Sequence, residues 1–358
     1  MTTAQRVRRA GLATAAALVI GGGGVAIGAA AADSSTPGTT AAAAATATPG
    51  PATSPGPASY ASVVRQVLPS VVLIRTGNGL GSGVVLDRSG NIVTNAHVAG
   101  NATSFEVQVA GHPAPRTARL VGSYPPDDLA VIRADNPAGL QPATFGDSDR
   151  VQAGDVVLAI GNPLGLSGSV TQGIISATDR AVTEPSADGS PAATLPGAIQ
   201  TSAPINPGNS GGALVSTSGL VIGIPTLAAG SAQGGQAQGI GFAIPSNLAR
   251  DIASQIIDTG HVTNSHRAAL GAEVATVLAA DGTTGGVGVV AVTSGGGAER
   301  AGLRPGDVIK SAGSAQTPDT TALTQALAAA KPGDQVTVTI SRAGQDRDVR
   351  VTLGELGG

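Results

Sequence analysis

The chain is predicted to be mainly β, a closed or sandwiched β body followed by a smaller α+β unit, and three observations carry that expectation. Between Tyr60 and Thr259, short runs rich in Val, Ile and Leu recur between Gly, Pro, Asn and Asp, the pattern of a many-stranded sandwich or barrel. Near Ser246–Asp258, Leu248, Ile252 and Ile256 recur every fourth residue and Gly260 follows, so one helix closes that body. From about His266 to Leu353 a second set of strands flanks a single helix.

The strands of the first unit are expected at Val71–Arg75, Gly81–Leu86, Asn91–Asn95, Phe105–Val109, Leu129–Arg133, Asp155–Ile160, Gly173–Ala177, Ala213–Ser216 and Leu220–Ile224. In the second unit they are expected at Gly286–Val292, Val308–Lys310, Val336–Arg342 and Asp348–Leu353, around a helix at Asp319–Ala330 that Lys331-Pro332-Gly333 ends. Val336, Val338 and Ile340 alternate with threonines, which gives that strand one buried face. No internal repeat is visible.

Composition narrows the function classes. The 358 residues include 53 Gly and 23 Pro, three Phe, two Tyr and no Trp, so the core must be built from Val, Ile, Leu and Ala. A net charge of −3 leaves no basic footprint for nucleic acid. Without cysteine there is no disulfide, thiolate zinc site or thiol nucleophile. No metal or other cofactor is implied: His261 and His266 lack a carboxylate cluster, and His112 reads as a solvated turn residue.

Residues 1–32 read as a targeting segment. Arg6, Arg8 and Arg9 precede an uncharged stretch from Gly11 to Ala32, long enough to span a bilayer and ending in small residues that suit a cleavage site. Retained anchor and cleaved signal both remain open, and both place the rest of the chain outside the cytoplasm. Residues 33–59, rich in Ala, Thr, Pro, Ser and Gly, read as an extended linker.

Ser210 lies in Asn206-Pro207-Gly208-Asn209-Ser210-Gly211-Gly212, where flanking glycines allow a tight turn and close approach of a second chain. There the N–H groups of Gly208 and Ser210 can converge into an oxyanion hole. A serine hydroxyl needs a base, and His97, at the end of an apolar strand, is the histidine in a suitable setting. The imidazole needs a carboxylate, for which Asp128 fits, abutting the strand Leu129-Ala130-Val131-Ile132; Asp127 is the competing choice. The order His97, Asp128, Ser210 is that of the chymotrypsin class, unlike subtilisins and α/β-hydrolases.

The segments Gly81-Ser82-Gly83-Val84, Thr94-Asn95-Ala96-His97-Val98, Asp128-Leu129-Ala130-Val131, Gly146-Asp147-Ser148, Ala159-Ile160-Gly161-Asn162-Pro163, Ile205–Gly212 and Gly241-Phe242-Ala243-Ile244-Pro245 together resemble the HtrA/DegP family of serine endopeptidases. The resemblance covers roughly Ala61 to Leu353. It implies a chymotrypsin-like double β-barrel over 60–259 and a small α+β PDZ domain over 266–354, behind the N-terminal apolar export or anchor segment. It also implies export, a trimer-like homo-oligomer and action on misfolded or unfolded proteins.

Gly302-Leu303-Arg304-Pro305-Gly306-Asp307-Val308-Ile309 is similar to the turn-and-strand signature of PDZ domains, which add a C-terminal peptide as an extra strand. The groove is expected between Ala269–Val274 and Asp319–Ala330, with Leu270, Gly271 and Ala272 receiving the peptide carboxylate. By the chymotrypsin fold, Pro204 lies at the base of the primary pocket. Lacking a carboxylate there, the pocket is not expected to take Lys or Arg; Ile205, Thr226 and Leu227 are expected to line it for small aliphatic residues. Two departures bear on this pocket, since many family members carry an acidic residue where Ser202 stands and one smaller than proline at Pro204. Asp179–Gly197, similar to the family's activation loop, lacks large anchors, and Gly230–Gly239 has few side chains to pack. A protease fold serving only as a binding module is the rival reading, and a passive envelope protein a third; neither requires serine, histidine and aspartate together.

Overall fold

The computed structural model describes residues 59–77, 79–112, 114–162, 168–184, 193–206, 208–230, 236–278 and 282–357, with the backbone alone at 183, 184, 193, 227–230 and 236–238. The targeting segment and almost all of the linker lie outside the described residues, as do residues 231–235 of the glycine-rich stretch. No described helix is long and apolar enough to cross a membrane.

Helix α1 (Tyr60–Val67) is capped by the Ser59 side chain and buries Val63 and Val67. Six strands follow: β1 (Val71–Arg75), β2 (Leu80–Val85), β3 (Asn91–Thr94), β4 (Ser104–Val109), β5 (Arg116–Tyr124) and β6 (Leu129–Ala134), with the one-turn helix α2 (Ala96–Ala99) after β3. They close into a barrel in the order β1-β2-β3-β6-β5-β4. A second barrel is built from β7 (Val156–Gly161), β8 (Ser169–Glu184), β9 (Ala193–Thr201), β10 (Ala213–Ser216), β11 (Val221–Gly230) and β12 (Gln236–Pro245). Its order is β7-β8-β9-β12-β11-β10, the same permutation as the first. The chain therefore does contain a repeat, one of topology, which the residues themselves do not display.

Double burial explains the continuous apolar runs. Val72, Ile74, Ile92 and Ile132 fill the first barrel, and Val157, Ala159, Ile199 and Leu214 the second. The alternate residues Val71, Val84, Val131, Leu158, Ile160 and Val215 form a third cluster joined by Ile252 and Ile256 of α3 (Ser246–Thr259). A strand that packs on both faces loses its polar alternation.

Three strands of the two barrels fall outside the sequence expectation. β5 has only three fully buried positions among nine, so its apolar signal is weak. β9 carries Pro196 and Gly197, read as loop residues; there the pairing with β8 shifts register between Arg180 and Val182, which admits both. β12 is glycine-rich. The segment Asp179–Gly197 thus extends the β8–β9 hairpin, and Leu195 in it is fully buried, a large anchor after all; residues 185–192 lie outside the described residues.

The C-terminal unit begins with β13 (Ala268–Ala269), β14 (Ala272–Leu278), β15 (Thr284–Val292), α4 (Gly297–Arg300), β16 (Val308–Ala312) and β17 (Ala315–Gln316). It continues with α5 (Thr320–Leu327), β18 (Gln335–Arg342), β19 (Gln345–Thr352) and β20 (Gly354–Glu355). The main sheet runs β14-β15-β16-β18-β19, and β13 pairs with β20. Val287, Ile309, Leu323, Val338, Ile340 and Val351 make its core. Asp319 caps α5 by accepting from the Ala322 N–H at 2.8 Å; the helix stops at Leu327, one turn before the expected end.

Candidate active site

The two barrels meet along the sequence elements that carry His97, Asp128 and Ser210. Asn95 leaves β3 fully buried, its amide donating to the Asp128 carbonyl at 3.1 Å, and the Ala96 N–H donates to the same oxygen at 3.0 Å. This anchors α2, whose first turn presents His97. The Pro125–Asp127 turn ends with Asp128 in the left-handed region (φ 51°), a conformation aspartate tolerates, and delivers its carboxylate beneath the imidazole. His97 Nδ1 lies 3.0 and 2.9 Å from the two carboxylate oxygens, and the His97 N–H donates to Oδ1 at 2.9 Å. The Asp128 side chain is almost wholly buried while that of His97 is about a third exposed, at 3% and 31%.

Between the two candidate aspartates the structure chooses Asp128. Asp127 points the other way, is fully buried, and pairs with Arg267 at 2.9 Å. The sequence favours Asp128 because it abuts β6, and the left-handed turn at Asp128 is what brings its carboxylate to His97.

Ser210 follows Gly208 (φ 102°) and precedes Gly211 (φ 78°). A Cβ at Gly211 would meet the Ser82 carbonyl oxygen at 2.2 Å and Thr94 Oγ1 at 2.5 Å, so nothing larger than glycine fits against the first barrel there. The Ser210 hydroxyl donates to the Thr226 carbonyl at 3.0 Å, and the Thr226 hydroxyl donates to Asp128 Oδ2 in a short hydrogen bond. One residue therefore links the serine to the acid.

Ser82 clasps the same turn from the first barrel. Its N–H donates to the Ser210 carbonyl at 2.9 Å and its hydroxyl to the Gly208 carbonyl at 2.6 Å. The hydroxyl also accepts from the Asn162 N–H at 2.8 Å, and the Ser82 carbonyl accepts from Thr94 at 2.7 Å. Neither the clasp made by Ser82 nor the Thr226–Asp128 bond follows from the sequence; the signal at Ser82 was its glycine-flanked strand, one of the segments that carry the family resemblance.

The expected pocket residues fare differently. Pro204 is exposed rather than forming a closed floor, and its carbonyl accepts from Thr171 at 2.7 Å. Ile205 is buried in the core of the second barrel against Gly241. Thr226 turns its hydroxyl to Asp128 instead of to a pocket, and the Leu227 side chain lies outside the described part. Ser202 spends its hydroxyl on the Ile174 N–H at 3.0 Å.

In the C-terminal unit an apolar groove of about 140 Å³ lies between β14 and α5, lined by Ala268, Leu270, Ala272, Val274, Leu323 and Leu327, with Arg267 also in its lining. Leu270 and Ala272 reach it. Gly271, in the left-handed region at φ 72°, packs against Gly296 and is not among the lining residues.

Two closed barrels of identical strand order, a serine on a glycine turn at their junction and a His–Asp pair beside it define a trypsin-like peptidase body, here followed by a peptide-groove domain. Residues 81–224 match a family described as trypsin-like peptidase domain, and residues 264–353 match the PDZ domain. The chain is 38% identical over 332 residues to serine protease PepD of Mycobacterium tuberculosis, covering 87% of this chain and 69% of that one. It is 37% identical over 279 residues to the periplasmic pH-dependent serine endoprotease DegQ of Escherichia coli, of which it spans 59%. Among solved structures, the HtrA-type protease AlgW with a decapeptide superposes with a TM-score of 0.55 at 34% identity, over 84% of this chain and all of that one. The chain belongs to the HtrA/DegP-type serine endopeptidases that carry a PDZ domain.

Proposed function

We propose that Ser210, His97 and Asp128 form the triad of an extracytoplasmic endopeptidase acting on unfolded or misfolded proteins. The observation that carries this is the Asp128 carboxylate on His97 Nδ1, joined to Ser210 through Thr226. With Nδ1–H held by Asp128, the neutral imidazole keeps Nε2 as a base. Ser210 Oγ forms a bond to the peptide carbonyl carbon as its proton passes to Nε2, and the N–H groups of Gly208 and Ser210 stabilise the oxyanion. Collapse breaks the C–N bond, the leaving amine takes the proton from Nε2, and water releases the acyl group by the reverse sequence.

The domain reading follows: residues 1–32 direct export, as cleaved signal or membrane anchor, 33–59 link, 60–259 form the protease and 266–354 the PDZ domain. Relatives named as periplasmic support the compartment. The apolar groove beside α5 suits the C-terminus of a protein ending in a small apolar residue, with Leu270 and Ala272 at its head. No carboxylate stands at Pro204, so cleavage after Lys or Arg is not part of this reading. The trimer-like homo-oligomer implied by the resemblance is tested by sedimentation.

The deciding experiment is cleavage of a disordered protein such as casein by the chain and by Ser210→Ala. Loss of cleavage and of fluorophosphonate labelling in the variant supports the triad; cleavage retained by the variant refutes it.

A further inference from the structure

Asp127, the carboxylate that the triad does not use, is a fully buried charge adjacent to the catalytic acid. Its only ion-pair partner among the described residues comes from the start of the second domain. Arg267 donates through Nη1 to Asp127 Oδ1 at 2.9 Å and to the Pro126 carbonyl at 2.7 Å, and its side chain is only 10% exposed. Both accepting atoms belong to the Pro125–Asp127 turn, whose end sets the left-handed backbone of Asp128. Arg267 is itself held: its carbonyl accepts from the Leu356 N–H at 2.8 Å, and Ser265, two residues before it, donates to Glu355 at 2.7 Å. Asp127 Oδ2 has no hydrogen-bond partner, so Arg267 is the principal compensation for this charge.

We propose that Arg267 is a positioning residue supplied by the PDZ side of the chain: by pairing with Asp127 it fixes the turn that aims Asp128 at His97. The physical reason is that a buried carboxylate stripped of its partner does not stay where it is. It draws in water, takes up a proton or swings outward, and each response moves the turn. Asp128 sits one peptide unit away in a strained-side conformation, and displacing it breaks both the imidazole contact and the His97 N–H bond. Arg267 is also among the residues that line the peptide groove, so one residue borders both the groove and the turn that leads into Asp128. This inference rests on Asp128 being the acid of the triad.

The test uses the full chain and three variants: Arg267→Met, which keeps the apolar stem without the charge, Asp127→Asn, and the two combined. Arg267→Met is expected to lower kcat about tenfold or more on a peptide substrate with KM changed less than about twofold, in line with the cost of leaving a buried charge unpaired. The double variant, with no charge to compensate, recovers most of the loss. The acid limb of the pH–rate profile in Arg267→Met moves to lower pH, because an imidazolium less well held by Asp128 gives up its proton more easily.

A loss of thermal stability in Arg267→Met with kcat and the acid limb unchanged would overturn the proposal, leaving the pair a structural tie. Failure of the double variant to recover kcat in a folded protein would do the same. Should Arg267→Met not fold, Arg267→Lys retains the charge but not the two-acceptor geometry, and a kcat between wild type and Ser210→Ala with the same limb shift is the expected result; an unshifted limb there also refutes it. Ser210→Ala in parallel separates the two readings: if it still cleaves, the triad is wrong, whereas if it is dead and Arg267→Met is fully active, only the positioning role is wrong.

Discussion

The hydroxyl of Ser210 donates to the carbonyl of Thr226 at 3.0 Å, while the hydroxyl of Thr226 donates to Asp128. Thr226 thus touches Ser210 with its main chain and Asp128 with its side chain. In the second role it satisfies the buried carboxylate oxygen and opposes its rotation away from His97.

Thr226→Val keeps the shape and the carbonyl but removes the donor. Hydrogen bonds to charged groups contribute about 1.5–3 kcal/mol, so kcat/KM is expected to fall about ten- to hundredfold, mainly in kcat. Thr226→Ser is expected to stay within about threefold of wild type. Steady-state kinetics on one peptide substrate checks both.

Ser82→Ala removes the hydroxyl that donates to the Gly208 carbonyl and accepts from the Asn162 N–H. The site is fully buried, so both groups lose their partner. The Gly208–Ser210 turn, the proposed oxyanion hole, loosens while the His97–Asp128 pair stays assembled. Binding of a peptide boronate is expected to weaken in proportion to the fall in kcat/KM, about tenfold or more, with little change in KM. A boronate affinity unchanged beside a reduced kcat would contradict that assignment.

Asp127 imposes a pH dependence on stability. Burial pushes its carboxyl up from 3.8 to about 6, against the opposing pull of Arg267; the Tyr124 phenol, itself pushed up by burial, is another titratable neighbour. With the folded-state value above that of the free group, the protonated form favours the native state. That contribution is complete below pH 3.8 and is lost as the pH rises to about 6. The melting temperature of wild type relative to Asp127→Asn is therefore expected to fall between about pH 4 and 6.5 and to level off above. Calorimetry across that range decides; a difference that grows with pH would contradict the assignment.

In the PDZ domain, Arg342 grips Asp307 with two hydrogen bonds of 2.6 and 2.7 Å and also donates to the Gly302 carbonyl at 2.8 Å. Those bonds hold the Asp307 carboxyl below the usual range. Lysine cannot reproduce a planar three-bond fork, so Arg342→Lys is expected to lower the denaturation midpoint of this domain. A denaturation curve followed by peptide binding to the groove reports on it.

Much of this molecule was legible in its residues. Chain order and glycine spacing singled out Ser210 and His97, because a nucleophile on a tight turn requires small neighbours and leaves a local signature. The strands of the PDZ sheet were legible because one face is solvated and their polarity alternates. β5, β9 and β12 were not, since few of their side chains are buried or their glycines and proline serve bulges. Abutting β6 favoured Asp128 over Asp127, and the structure puts Ile205 in the core of the second barrel and the Thr226 hydroxyl on Asp128, placements that the pocket expectation did not include. Such roles depend on where a side chain points once two barrels close on one another. Local sequence determined the residue types that the chemistry requires; only the tertiary structure decided which aspartate meets His97, that Thr226 and Ser82 brace the nucleophile turn, and that Arg267 reaches across from the second domain. Those contacts join residues from 16 to 141 positions apart in the chain, and no short-range pattern encodes them.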